Sequence, residues 1–178
     1  MENTSLSGSV LDLINSDHVT PATRNALQNR LNQPPITEPK FFDEKQFKRL
    51  QLTCNQLIIR LNKEPIDIAG PIDIRLANGI TNGWRYDDLP NDGEAYRLFL
   101  TGINQTAEAL FDHSFETITT EQRDAVLRAV QQGEATGPAW QNLPTDRFFE
   151  ELLTEVTEVY YSHPLAQQQI GYTGMADQ

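Results

Sequence analysis

From Phe41 onward, apolar residues recur every three or four positions, and no stretch sustains an alternation of apolar and polar residues. Offsets of three and four place side chains on one face of an α-helix, whereas a half-buried strand needs a period of two. A chain patterned this way is expected to fold as an all-α domain, a compact bundle of four to five helices joined by long loops, with an extended N-terminal arm.

The helices can be placed from their stripes and their punctuation. Asp43 and Gln46 form a capping box ahead of Phe47, Leu50, Cys54, Leu57, Ile58 and Leu61, which predicts an amphipathic helix ending before Pro65. Ile68, Ile72, Leu76 and Ile80 form a shorter stripe, expected as a helix from about Pro71. Tyr96, Phe99, Leu100, Ile103, Ala107, Leu110 and Phe111 make the core face of a long helix, in which Gly102 marks a close helix–helix approach. Thr119 and Gln122 form a second capping box before Val126, Leu127 and Val130. The last long helix starts near Thr145, carries Phe149, Leu152, Leu153, Val156, Val159 and Tyr160, and ends at His163-Pro164. The tail from Leu165 is read as turn-rich.

Ahead of this body, residues 1–17 are polar and weakly patterned, an arm with at most one short turn. Thr20-Pro21 opens a short helix to about Leu31, because threonine caps and proline fits the first helical position. Pro34-Pro35 stops it. The expected division is an arm over residues 1–40, with its short helix and Pro-rich linker, and a helical domain over 41–178. An isolated short helix buries little by itself, so the arm is expected to wrap a partner.

Charge and cysteine content narrow the function classes. A net charge of −11 repels phosphate backbones and anionic membranes, so nucleic acid is not an expected ligand. Cys54 is the single cysteine, which forbids an internal disulfide, and on an apolar stripe it reads as a small buried hydrophobe. No stretch approaches the roughly 20 apolar residues needed to span a bilayer. Residues 1–17 lack a basic or apolar leader, so a cytoplasmic location is expected, or a periplasmic one if a partner carries the chain across.

Catalytic patterns are sparse. His18, His113 and His163 lie far apart and have no second histidine at a metal-binding offset. Asp112-His113-Ser114 holds the residue types of a hydrolase triad, but sequence neighbours at a helix end rarely face one another, and the plainer reading is a histidine at the negative end of a helix. Glu151, Glu155 and Glu158 share one helix face; the Glu-x-x-His pairs of a di-iron site are absent from the chain, so they read as a solvated acidic face. No Gly-rich dinucleotide fingerprint or phosphate loop occurs. The chain is expected to have no catalytic, metal or cofactor-binding residues of its own.

Aromatic and polar residues in loops stand out instead. Trp84, Arg85 and Tyr86 form one cluster, Tyr160, Tyr161, His163 and Pro164 another, and Gly171, Tyr172 and Gly174 a third. Trp, Tyr and Arg dominate interface energetics when buried in a partner's pocket, which makes these the candidate partner-binding residues. The alternative is that they anchor loops over their own core.

The ending Phe148-Phe149-Glu150-Glu151-Leu152-Leu153, then Val159-Tyr160-Tyr161-Ser162-His163-Pro164, then Ile170-Gly171-Tyr172-Thr173-Gly174, resembles the C-terminal signature of the gluconate 2-dehydrogenase subunit 3 family. The segments Tyr96 to Phe115, Gln122 to Leu127 and Thr20 to Arg24 resemble other parts of the same family. The resemblance implies a non-catalytic, structural or chaperone-like small subunit of a heteromeric sugar or sugar-acid dehydrogenase. Its partner would be a large FAD-binding oxidoreductase of the glucose–methanol–choline type, in many systems with a cytochrome c subunit. FAD would reside in the partner. The competing reading is a self-assembling helical interaction protein without an enzyme partner.

Overall fold

A computed structural model describes residues 9–58, 66–81 and 89–174. Among these the chain forms eight α-helices and no strand: α1 (Val10–Ile14), α2 (Pro21–Asn32), α3 (Glu44–Leu57), α4 (Ala69–Ala77), α5 (Asp92–Phe111), α6 (Thr120–Gln131), α7 (Thr145–Tyr161) and α8 (Pro164–Gln169), with a 3-10 turn at Pro138–Asn142 before α7. The all-α expectation holds. The chain divides into two compact units, one of residues 1–35, 60–66 and 158–178 and one of residues 36–59 and 67–157.

The larger unit is organised around α5, which packs against α3, α6 and the 3-10 turn. The capping boxes of α3 and α6 form as the sequence predicts, with Asp43 accepting from the Gln46 N–H and Thr119 from the Gln122 N–H. Leu50, Ile72, Phe99, Ile103, Val126 and Leu152 are fully enclosed, and Cys54 is buried among them. A run of rings threads this core: Phe42 lies 6.2 Å from Tyr96, Tyr96 5.2 Å from Phe148, Phe148 5.3 Å from Phe99, and Phe99 6.0 Å from Trp140.

Gly102 does mark a close approach, to the indole of Trp140 on the 3-10 turn that packs against α5. A Cβ there would meet the Trp140 ring at 2.5 Å. The ring is fixed by its Nε1–H, which donates to Thr106 at 3.0 Å, while the Ala139 N–H donates to Gln105 at 3.0 Å. Two buried or half-buried aspartates hold the segment before α3. Asp73 accepts from the N–H groups of Lys40, Phe41 and Phe42 at 2.6, 3.0 and 3.0 Å. Asp67 accepts from Ile36 at 2.8 Å and from Gly70, in the first turn of α4, at 2.9 Å. Residues 36–42 are thus pinned at both ends, by Asp67 just before α4 and by Asp73 within it.

Three stripes outrun the packing: α3 closes at Leu57 with Ile58 already extended, and Leu61 of its stripe lies outside the described residues. α4 stops at Ala77, and the turn through Gly79 leaves Ile80 56% exposed. On α5, Leu110 lies in the last turn and is 50% exposed, and the helix closes after Phe111 at a left-handed Asp112.

In the smaller unit, α1 and α2 pack against each other and both pack against α8. Val10, Leu13, Ile14, Val19 and Leu27 form its apolar cluster. Arg24 joins α1 to α2 by donating to the carbonyls of Ile14, Ser16 and Val19 at 3.0, 2.6 and 3.1 Å. The arm therefore buries its own apolar face, contrary to the expectation of an isolated helix, because α8 covers it. α8 itself replaces the expected turn-rich tail. Pro164 stops α7, yet it also takes the first position of α8, where its missing N–H is not needed.

Candidate subunit interface

From Val159 onward, the C-terminal signature forms one hydrogen-bonded structure in the smaller unit. Tyr160 is buried, and its hydroxyl donates to Gln169 Oε1 at 2.9 Å, so it anchors its own fold. Tyr161 is 41% exposed and stands edge-on to Tyr160, with centroids 5.1 Å apart. Its carbonyl accepts from Gln167 Nε2 at 3.0 Å. Ser162 closes the last turn of α7 by donating to Val159, and its carbonyl accepts from Arg30 of α2 at 3.3 Å.

His163 caps α8: its Nδ1 accepts from the Leu165 N–H at 3.2 Å. The ring is half-buried, and burial holds its pKa below the ordinary imidazole value. The charge of Arg30 acts in the same direction, and a hydrogen bond to the Arg30 backbone opposes both without cancelling them. Pro164 is buried behind it.

The glycines of the signature have separate reasons. Gly171 has φ +63°, with its N–H donating to the Gln168 carbonyl and the next N–H, of Tyr172, donating to the Gln167 carbonyl. That pair of bonds is the Schellman termination of a helix, which calls for a left-handed residue at this place. Gly174 leaves the room in which the Tyr172 ring lies. Tyr172 and Ile170 are 47% and 55% exposed. From Val159 onward, the signature therefore supplies three exposed large apolar residues, Tyr161, Ile170 and Tyr172, on a backbone tied down by capping bonds. Tyr160 and Pro164 point inward, and Trp84, Arg85 and Tyr86 lie outside the described residues.

The larger unit contains a polar cluster that the sequence patterns do not reveal. Arg75 of α4 makes a two-pronged pair with Glu155 of α7, Nε to Oε1 at 2.6 Å and Nη2 to Oε2 at 2.8 Å. Its Nη1 reaches Asp92 at 2.8 Å and the Ile80 carbonyl at 2.7 Å. The Tyr96 hydroxyl donates to Glu155 Oε2 at 2.6 Å. Glu155 is buried, so the acidic face expected on α7 is not uniformly solvated. Glu151 instead pairs with Arg147 one turn away, and Glu158 is exposed. Burial works against the charge on Arg75, but the hydrogen bonds and charge of Glu155 outweigh it and hold the pKa above its ordinary value. Burial, and then the charge of Glu155, push the Tyr96 hydroxyl well above the ordinary phenol range. The phenol stays protonated as a permanent donor, and the cluster works as a clamp between α4, α5 and α7. The available clue is position: Arg75 and Glu155 each sit next to a fully packed apolar residue, Leu76 and Val156.

Among the described residues, no group of three or more His, Cys, Asp or Glu could hold a metal ion, and no helix is long and apolar enough to cross a membrane. An open recess of about 430 Å³ at the start of α5 is lined by Asn91, Glu94, Arg97, Leu98 and Thr101. Its arginine is occupied, lying 3.9 Å over the Phe41 ring and donating to the Phe41 carbonyl.

No curated protein and no solved structure matches the chain. A family pattern described as gluconate 2-dehydrogenase subunit 3 matches residues 44–175, from the first residue of α3 through the whole C-terminal signature. With about three quarters of its length matched, the chain belongs to the gluconate 2-dehydrogenase subunit 3 family.

Proposed function

We propose that this chain is the non-catalytic small subunit of a heteromeric sugar or sugar-acid dehydrogenase and that it docks on a large FAD-binding flavoprotein of the glucose–methanol–choline type. The observation that carries the proposal is the exposure of Tyr161, Ile170 and Tyr172 within the family signature. Large apolar side chains on a rigid turn cost little conformational entropy to bury, and tyrosines are over-represented among the residues that dominate binding. Tyr96, Glu155 and His163 are spent on the fold: Tyr96 and Glu155 close the clamp, and His163 caps a helix. Flavin chemistry belongs to the partner in this reading, and a cytochrome c subunit would accept the electrons.

The test is to recover the tagged chain from its native source and record the absorption spectrum of what accompanies it. A yellow complex with a large FAD protein that oxidises members of a sugar panel is the expected result. The double variant Tyr161→Ala/Tyr172→Ala should weaken that complex at least tenfold while leaving the free chain folded. A chain recovered alone as a homo-oligomer, with the partner gene expressed, would establish the self-assembling alternative instead.

A further inference from the structure

His163 occupies a joint. It follows the last turn of α7, caps α8 through Nδ1, and lies beside Arg30 of α2, whose guanidinium donates to the carbonyl of the preceding Ser162. An imidazole nitrogen accepts a hydrogen bond only when it carries no proton, so the cap requires the neutral ring with its proton on Nε2. We propose that His163 is a proton-sensitive latch: neutral, it holds α8 and the turn through Tyr172 against α2 and the end of α7, and protonated, it releases them.

Three consequences of protonation act together. The Leu165 N–H loses its acceptor, and Nδ1 becomes a donor facing another donor. The new positive charge sits beside Arg30. It also sits at the start of α8, where the free N–H groups already make the environment positive. Among the described residues, the ionisable groups on the helices packed about this joint are Arg24 and Arg30 on α2, Asp12 on α1, and Glu158, Tyr160 and Tyr161 on the last turn of α7; α8 carries none. Arg24 is committed to three carbonyls, Asp12 accepts from the Ser9 N–H, and the Tyr160 hydroxyl donates to Gln169. Glu158 is solvent-exposed. A ring whose pKa is lowered by folding contributes stability above its unfolded value of about 6.5, and this is lost as pH falls through the folded value. The latch is closed at pH 7.5 and opens on mild acidification.

The turn that the latch holds carries Ile170 and Tyr172, so its opening would also alter the docking surface. That further effect rests on the proposed interface, whereas the latch itself is read on the chain alone. Hydrogen exchange of the full chain is measured at pH 7.5 and pH 5.0, each amide corrected for its intrinsic rate. The amides of Leu165, Ala166, Gln167 and Tyr172 should lose protection roughly fivefold at the lower pH, the scale of one lost helix cap. Amides in the middle of α5 should keep theirs. H163N, which caps without titrating, should be equally protected at both pH values, and H163A should be poorly protected at both. Equal protection of the wild-type chain at the two pH values would overturn the latch. So would the same loss in H163N, or a loss of equal size throughout α5.

Discussion

Glu155 accepts three hydrogen bonds in a setting that excludes water, two from Arg75 and one from Tyr96. Removing one donor differs from removing the acceptor. Tyr96→Phe should cost about 1.5–3 kcal/mol, since it deletes one bond to a charged group and leaves the ion pair intact. Glu155→Ala should cost about 3–5 kcal/mol, because the Arg75 charge then lacks its main partner in a buried place. Urea unfolding of the two variants checks the order; equal costs would mean that the Arg75–Glu155 pair contributes little beyond the phenol bond. Local pattern could not disclose this residue. Glu151, Glu155 and Glu158 look alike along the helix, and what distinguishes Glu155 is an arginine 80 positions away in the chain. Asp73 is a similar case, because its three partners are backbone N–H groups more than 30 positions earlier.

At the scale of elements, the same substitution at two glycines separates backbone strain from crowding. Gly171→Ala has open space around the new Cβ and suffers only from its left-handed backbone, φ +63°, so it should cost about 1–2 kcal/mol. Gly171→Asn should recover much of that, since asparagine tolerates this conformation. Gly102→Ala sits in an ordinary helix but drives a methyl group into the Trp140 ring, which should cost about 1–3 kcal/mol and shift the near-UV circular dichroism of that indole. The starts of α2, α3 and α6 were legible because capping acts over three residues, and the signals Thr20-Pro21, Asp43/Gln46 and Thr119/Gln122 are complete within that span. α8 was not, because Pro164 ends one helix and begins the next, and a stop signal conceals a start. The stripes of α4 and α5 outran the packing for the opposite reason: Ile80, past the end of α4, and Leu110, in the last turn of α5, keep the stripe's spacing but stand exposed.

For the whole molecule, the family signature was readable as residues while its role in the fold was not. Tyr160 and Pro164 serve the interior, and Tyr161, Ile170 and Tyr172 are left outside. Deleting residues 1–33 removes α1 and α2, the helices that cover α8. The expected result is that α8 becomes sensitive to protease and that the shortened chain binds a hydrophobic dye, while the amides in the middle of α5 keep their exchange protection. Retained protease resistance at Leu165–Gln169 would show that α8 is held by the end of α7 alone. The smaller unit also has an unusual order of assembly. Its bond from Arg30 to Ser162 joins residues 132 positions apart, which at ribosomal rates of about 5–20 residues per second separates their synthesis by roughly 7–26 s. Throughout that interval the apolar faces of α1 and α2 await a cover that does not yet exist. The smaller unit therefore closes only after translation has passed Gln169, long after α1 and α2 have left the ribosome.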